Sequence, residues 1–294
     1  MWSPHRSCRT RARVRTPYRV SPWRALPPAA VWAGVNVRFG SAGRGGAVDI
    51  TARACHLVIA LVITAALVTQ LALLFTGGAD ANSGRADPAA GIATRLVRLF
   101  SYFTIQSNLF VLVVSAGLAI RPDRDGRLWR VVRLDALLGI VITGLVFALV
   151  LADEVHLTGA AWWANLGFHY LAPWATLAVW LVFGPRPRID RGTVAAAFVW
   201  PVAWIGYTFA HGAVTDWYPY PFLDAARKGY ATALLNTLLV VVVAVVLVAV
   251  FALLDRLPTA AGRPETGREI RPGSPTRTEE QPGRPPGATP TPRR

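Results

Sequence analysis

The chain has 294 residues, 53% of them hydrophobic and 16% charged, with a mean hydropathy of +0.38. That is too apolar for an ordinary soluble domain, and the apolar residues run in long blocks, so the chain reads as a polytopic membrane protein. The net charge of +15 needs no nucleic acid to explain it, because the basic residues collect in segments flanking those blocks, where they orient membrane helices.

Residues 1–55 form a basic segment expected to be disordered, with nine arginines and a single acid, Asp49, in the first 50 positions. No apolar stretch before Thr51 has the form of a signal peptide. The arginine-rich, acid-poor look is shared by transit peptides, but arginine far outnumbers lysine throughout, which points to a GC-rich, bacterial coding sequence. An upstream mis-start is one explanation of this segment, with Val48 as an alternative start codon, since Met1 is the one methionine.

The transmembrane domain, residues 56–254, reads as six helices: His56–Phe75, Leu99–Ile120, Val131–Leu151, Trp163–Phe183, Thr193–His211 and Tyr230–Leu254. Each is long enough for ~30 Å of hydrocarbon. The fifth carries Pro201 at its centre. The expected fold is therefore an all-α integral membrane protein, a six-transmembrane-helix bundle with disordered tails.

Lysine and arginine number ten before the first span, five over Arg121–Arg133, three in the fourth loop and eight in the tail. The first, third and fifth loops hold three, none and two. This alternation predicts both termini in the cytoplasm, with the protein in the plasma membrane. Residues 255–294 are rich in Pro and Arg without an apolar run and read as a disordered cytoplasmic tail. Cys8 and Cys55, the two cysteines, are too few and too far apart in sequence for a disulfide framework or a zinc knuckle.

Polar side chains inside spans are costly and raise the question of function. In the second span Ser101, Thr104 and Asn108 fall on one helical face, with Ser115 further along, while Gln106 and Ser107 point elsewhere. The ordinary explanation for such a threonine is a hydroxyl bonded to a carbonyl one turn earlier. In the fourth span Asn165, His169 and Thr176 share a face. Both spans enter from the outside, which places Thr104 and His169 at matched depth, ~9 Å below the outer surface. His211 and Asp216, at the outer end of the fifth span, join the candidate site, and Asp153, Glu154 and His156 belong to the third loop. Asn236 in the sixth span is expected to make an interhelical hydrogen bond. No HExxH or HxxxH spacing supports a metal, and with one histidine deep in a span bis-histidine haem ligation is not expected; no cofactor is assigned.

Phe103-Thr104, Asn165-Leu-Gly-Phe-His169 followed by Pro173, and Tyr220-Pro-Phe-Leu-Asp224 occur in this order, and with them the chain resembles the androgen-induced gene 1 family of multipass membrane proteins over roughly residues 56–254. Leu166 stands where the animal motif has a histidine. Animal members are described as threonine hydrolases of fatty acid esters of hydroxy fatty acids. By motif the resemblance implies Thr104 as nucleophile and His169 as base.

A neutral imidazole can take the threonine proton and return it to the leaving alkoxide. Asn108, Asn165 and Gln106 are candidate oxyanion donors. The expected partners are the lipid bilayer and a membrane lipid or amphipathic ester substrate, with no nucleic acid. The alternative is a non-enzymatic membrane protein, a small transporter or assembly factor whose polar stripe lines an intramembrane cavity.

Overall fold

The computed structural model describes residues 41–261, which are helical with no strand among them. Residues 1–40 with Cys8, and the tail from residue 262, lie outside the described residues, and with them most of the expected disorder. Among the described residues six helices are long and apolar enough to cross a membrane: Gly46–Thr76, Phe103–Ile120, Arg127–Leu151, Gly159–Phe183, Arg191–Thr215 and Tyr230–Leu254.

Helix α1 (Ser41–Thr76) starts well ahead of His56, so the stretch from Ser41 to Cys55, expected to be disordered, is helical. Extending an existing helix adds a hydrogen bond per residue without a new nucleus. The extension is also held: Ala52 is buried, and the Arg53 guanidinium donates to the Ala119 carbonyl at 2.8 Å.

The second expected span is split. α2 (Ile92–Ser101) ends and α3 (Phe103–Ile120) begins around Tyr102, whose φ of −68° and ψ of 129° are extended. α4 (Arg127–Val146) ends in a π-helical turn over Phe147–Leu151.

In the fourth span α5 (Gly159–Asn165) leads into a second π turn, Leu166–Leu171, before α6 (Ala172–Phe183). Pro173 explains the register change. It has no N–H to offer the His169 carbonyl, and the Ala172 N–H reaches back five residues to Gly167. Pro201 acts likewise on the fifth span: α7 (Arg191–Ala197) ends at the residue whose carbonyl Pro201 leaves without a donor, and α8 (Val199–Thr215) follows. The sequence Tyr220–Asp224 forms a 3₁₀ turn at Pro221–Leu223, followed by the short α9 (Ala225–Lys228) and α10 (Tyr230–Leu254).

α4 is the central helix, packed against α3, α6, α7 and α10, and Leu134–Gly144 is buried along its whole length. Gly144 permits this closeness, since a Cβ there would lie 2.7 Å from Pro173 Cβ. By contrast, α10 presents Leu234, Leu235, Leu238, Leu239 and Val242 outward, and only 17% of its most apolar window is buried. So much exposed aliphatic surface suits lipid rather than water.

At the end opposite the site, Asp255 accepts from the Arg188 and Ile189 N–H groups at 2.5 and 2.8 Å. Asp125 there binds Arg130 at 2.6 Å and Arg188 at 3.4 Å, which holds its carboxyl well below the usual range.

Candidate functional site

The break at Tyr102 creates the site. It frees two carbonyls at the end of α2 and the first N–H groups of α3, polar groups that are costly to leave unpaired within a bundle. Side chains from distant segments satisfy them. Gln106 Nε2 donates to the Phe100 carbonyl at 2.9 Å and Trp204 Nε1 to the Ser101 carbonyl at 2.9 Å. The Thr104 N–H donates to the Tyr220 hydroxyl oxygen at 3.0 Å.

Thr104 is the second residue of α3 and is 3% exposed. Its helix begins too late to offer the carbonyl that would absorb its hydroxyl, so the ordinary back-bond does not form. Oγ1 lies instead 3.1 Å from the Tyr220 hydroxyl and 3.4 Å from His169 Nε2. Ser101 and Thr237 do the ordinary thing, bonding back to Val97 and Ala233.

One assignment of protons satisfies all three groups at once. Tyr220 is fully buried, and burial pushes its hydroxyl up to about 12, so it keeps its proton. Its oxygen accepts from the Thr104 N–H, and its own O–H has Thr104 Oγ1 within reach. Thr104 then donates to His169 Nε2, which requires the neutral Nδ1–H tautomer. Nδ1 is buried and has no hydrogen-bond partner among the described residues. The Phe147 ring stacks on the imidazole with centroids 4.1 Å apart.

The other expected residues divide. Asn108 is fully buried and ties the two halves together, its Nδ2 donating to the Thr104 carbonyl at 2.9 Å and the Phe168 carbonyl at 3.4 Å. It is thus a brace rather than a free oxyanion donor. Gln106 is occupied as well, since its Oε1 accepts from Trp200 Nε1 at 2.7 Å. Ser101 sits on α2, across the break from Thr104, and its Oγ is 2.7 Å from the Tyr207 hydroxyl. The single stripe expected from Ser101 to Asn108 is therefore interrupted, because the helix it assumed is two helices.

Asn165 is buried, with Oδ1 unpaired, beside a second, more polar cavity that also reaches Phe147 and His156. His211 pairs with Thr215 at 3.3 Å, and Asp216 is an exposed residue at φ 53° ending α8. Neither is brought to Thr104. Asn236 donates to the Phe222 carbonyl at 2.8 Å, so it anchors the Tyr220 turn rather than bridging two helices side by side.

Tyr220 is the site residue that sequence reasoning missed. Its signal was the Tyr-Pro-Phe-Leu-Asp string, whose members each serve the local structure. Phe222 stacks on Tyr220 at 5.4 Å, Leu223 is buried, and Asp224 accepts from the Arg227 N–H at 3.0 Å to start α9.

The hydroxyl–imidazole pair opens on a partly open chamber of about 100 Å3. Its walls are almost wholly apolar and come from α4, α8 and α10, with Thr104, His169 and Tyr220 at one end. Among the described residues no group of three His, Cys, Asp or Glu side chains is placed to hold a metal.

Fold and site together define a helical bundle of membrane-spanning character with a buried threonine–histidine–tyrosine cluster. No known family, curated protein or solved structure matches the chain.

Proposed function

We propose that the protein is a membrane-embedded hydrolase of amphipathic lipid esters, of the kind in which a fatty acid is esterified to a hydroxy fatty acid. Thr104 is the nucleophile and His169 the base. The observation that carries this reading is the Thr104 hydroxyl, released from back-bonding by the break at Tyr102 and lying 3.4 Å from His169 Nε2 at the head of an apolar chamber.

In the reaction Thr104 Oγ1 attacks the ester carbonyl while His169 Nε2 takes its proton. The resulting oxyanion is met by the Tyr220 O–H and by the N-terminal end of α3, where the helix dipole favours negative charge. Collapse of the intermediate expels the alkoxide, which recovers the proton from the imidazolium. Water, deprotonated by His169, then hydrolyses the acyl–threonine and regenerates the hydroxyl.

The chain sits in the plasma membrane with both termini cytoplasmic and the site toward the outer leaflet. Basic loops gather at the end opposite the site, where Arg121, Arg124, Arg186, Arg188 and Arg256 lie. The motif resemblance to the androgen-induced gene 1 family favours the same two residues. A transport path is less favoured because the chamber is lined almost entirely by apolar groups.

The test is turnover of a branched long-chain ester by purified protein in lipid nanodiscs. Hydrolysis by wild type that disappears in both Thr104→Ala and His169→Ala is expected; equal turnover by wild type and Thr104→Ala refutes the assignment.

A further inference from the structure

The chamber is walled on one side by α8 and α10, two neighbours that scarcely approach one another although residues of both line it. Each packs instead on other elements, α8 on α7 and α9, and α10 on α4, α9 and the Tyr220 turn. Val202 on α8 lines the chamber and yet is 62% exposed, which marks a side opening rather than a sealed wall. Val240 and Val241 on α10 line it from the other side and are half-buried.

The chamber runs along the helices. Its α8 wall extends from Pro201 to Phe209, ~12 Å at 1.5 Å per residue. One leaflet of hydrocarbon is ~15 Å deep. One end carries Thr104, His169 and Tyr220, and Ala244 and Leu138 line the other.

We propose that this is a binding site for a single acyl chain of a membrane-resident lipid ester, which passes sideways from the leaflet between α8 and α10 and stands upright beneath Thr104. Length, apolar lining and lateral opening all match a chain already ordered in the bilayer. The other, more polar cavity, at His156 and Asn165, reaches the far side of the pair only through the Phe147 ring that stacks on His169. The chain site deepens the hydrolase reading by supplying its route for substrate, but chain binding does not depend on turnover.

The experiment uses the full chain in phosphatidylcholine vesicles containing an ester whose acyl chain ends in a diazirine. After photolysis, adducts are mapped by peptide mass spectrometry. Adducts are expected on Ile205, Val241 or Ala244. Val202→Trp, at the exposed rim, should reduce them about tenfold by obstructing the opening. Val214→Trp, on the same helix but 85% exposed and away from the chamber, should leave them unchanged.

Thr104→Ala should keep the adducts even where hydrolysis is lost, so chain binding and catalysis fail separately. Adducts confined to outward residues such as Leu235, Leu238 and Leu239, or to the cavity at His156, overturn the proposal. So does an adduct yield that Val202→Trp does not change.

Discussion

Replacing Tyr220 by phenylalanine deletes one oxygen and leaves the ring packed against Tyr102 at 5.6 Å and Phe222 at 5.4 Å, so no cavity term arises. What is lost is the acceptor for the Thr104 N–H at 3.0 Å and the donor to Thr104 Oγ1 at 3.1 Å. Both partners are buried, and stranding a buried donor costs about 1–3 kcal/mol. Taking about 2 kcal/mol, the melting temperature should fall by ~4–8 °C for a protein of this size. Removing an oxyanion donor costs about 10²–10³ in rate, so turnover should fall far more than stability does. The assays are thermal unfolding in detergent and ester hydrolysis in nanodiscs, with Tyr102→Phe as the neighbour whose hydroxyl does not reach Thr104. A folded Tyr220→Phe protein that turns over at the wild-type rate would refute the assignment of this hydroxyl.

Gly144→Ala should force α4 away from the turn that carries His169, because the new Cβ would lie 2.7 Å from Pro173 Cβ; a loss of about 1–3 kcal/mol is expected, read as a lower unfolding midpoint. Asn108→Ala removes the link between the Thr104 and Phe168 carbonyls, and should speed hydrogen exchange in residues 166–171 while leaving the opposite end of the bundle unchanged. Asp80 supplies a pH test. Burial raises its carboxyl above the usual value, against the opposing pull of the Asn82 and Ser83 N–H groups. The folded form therefore holds its proton to higher pH than the unfolded chain, and that stabilisation is complete below about pH 4 and is lost as pH rises through the raised value. Exchange in the loop at residues 77–91 should accelerate over that window in wild type and not in Asp80→Asn.

The sixth span was readable to the residue, Tyr230 to Leu254, because a continuous apolar run is bounded by Gly229, at φ 79°, and by Asp255. Prolines 173 and 201 announced that their helices would deviate, although not that the first would produce a π turn. The break at Tyr102 had no such marker, since no glycine or proline lies near it. It is maintained by Trp204 and Tyr220, each more than 100 positions away in the chain, and helical periodicity carries no information at that separation. The same separation hid Tyr220, since a tyrosine in a loop next to a membrane ordinarily reads as part of the interfacial belt. Thr104 and His169 were reachable because charge alternation put them at one depth. The release of the Thr104 hydroxyl from its own helix was not.

The central claim is that the Thr104 hydroxyl is an activated nucleophile. Its most direct test is to label the full chain in nanodiscs with a fluorophosphonate probe and locate the adduct by peptide mass spectrometry. Phosphonylation is expected on Thr104, abolished in Thr104→Ala and strongly slowed in His169→Ala. An adduct on another residue, or labelling that persists in Thr104→Ala, would contradict it.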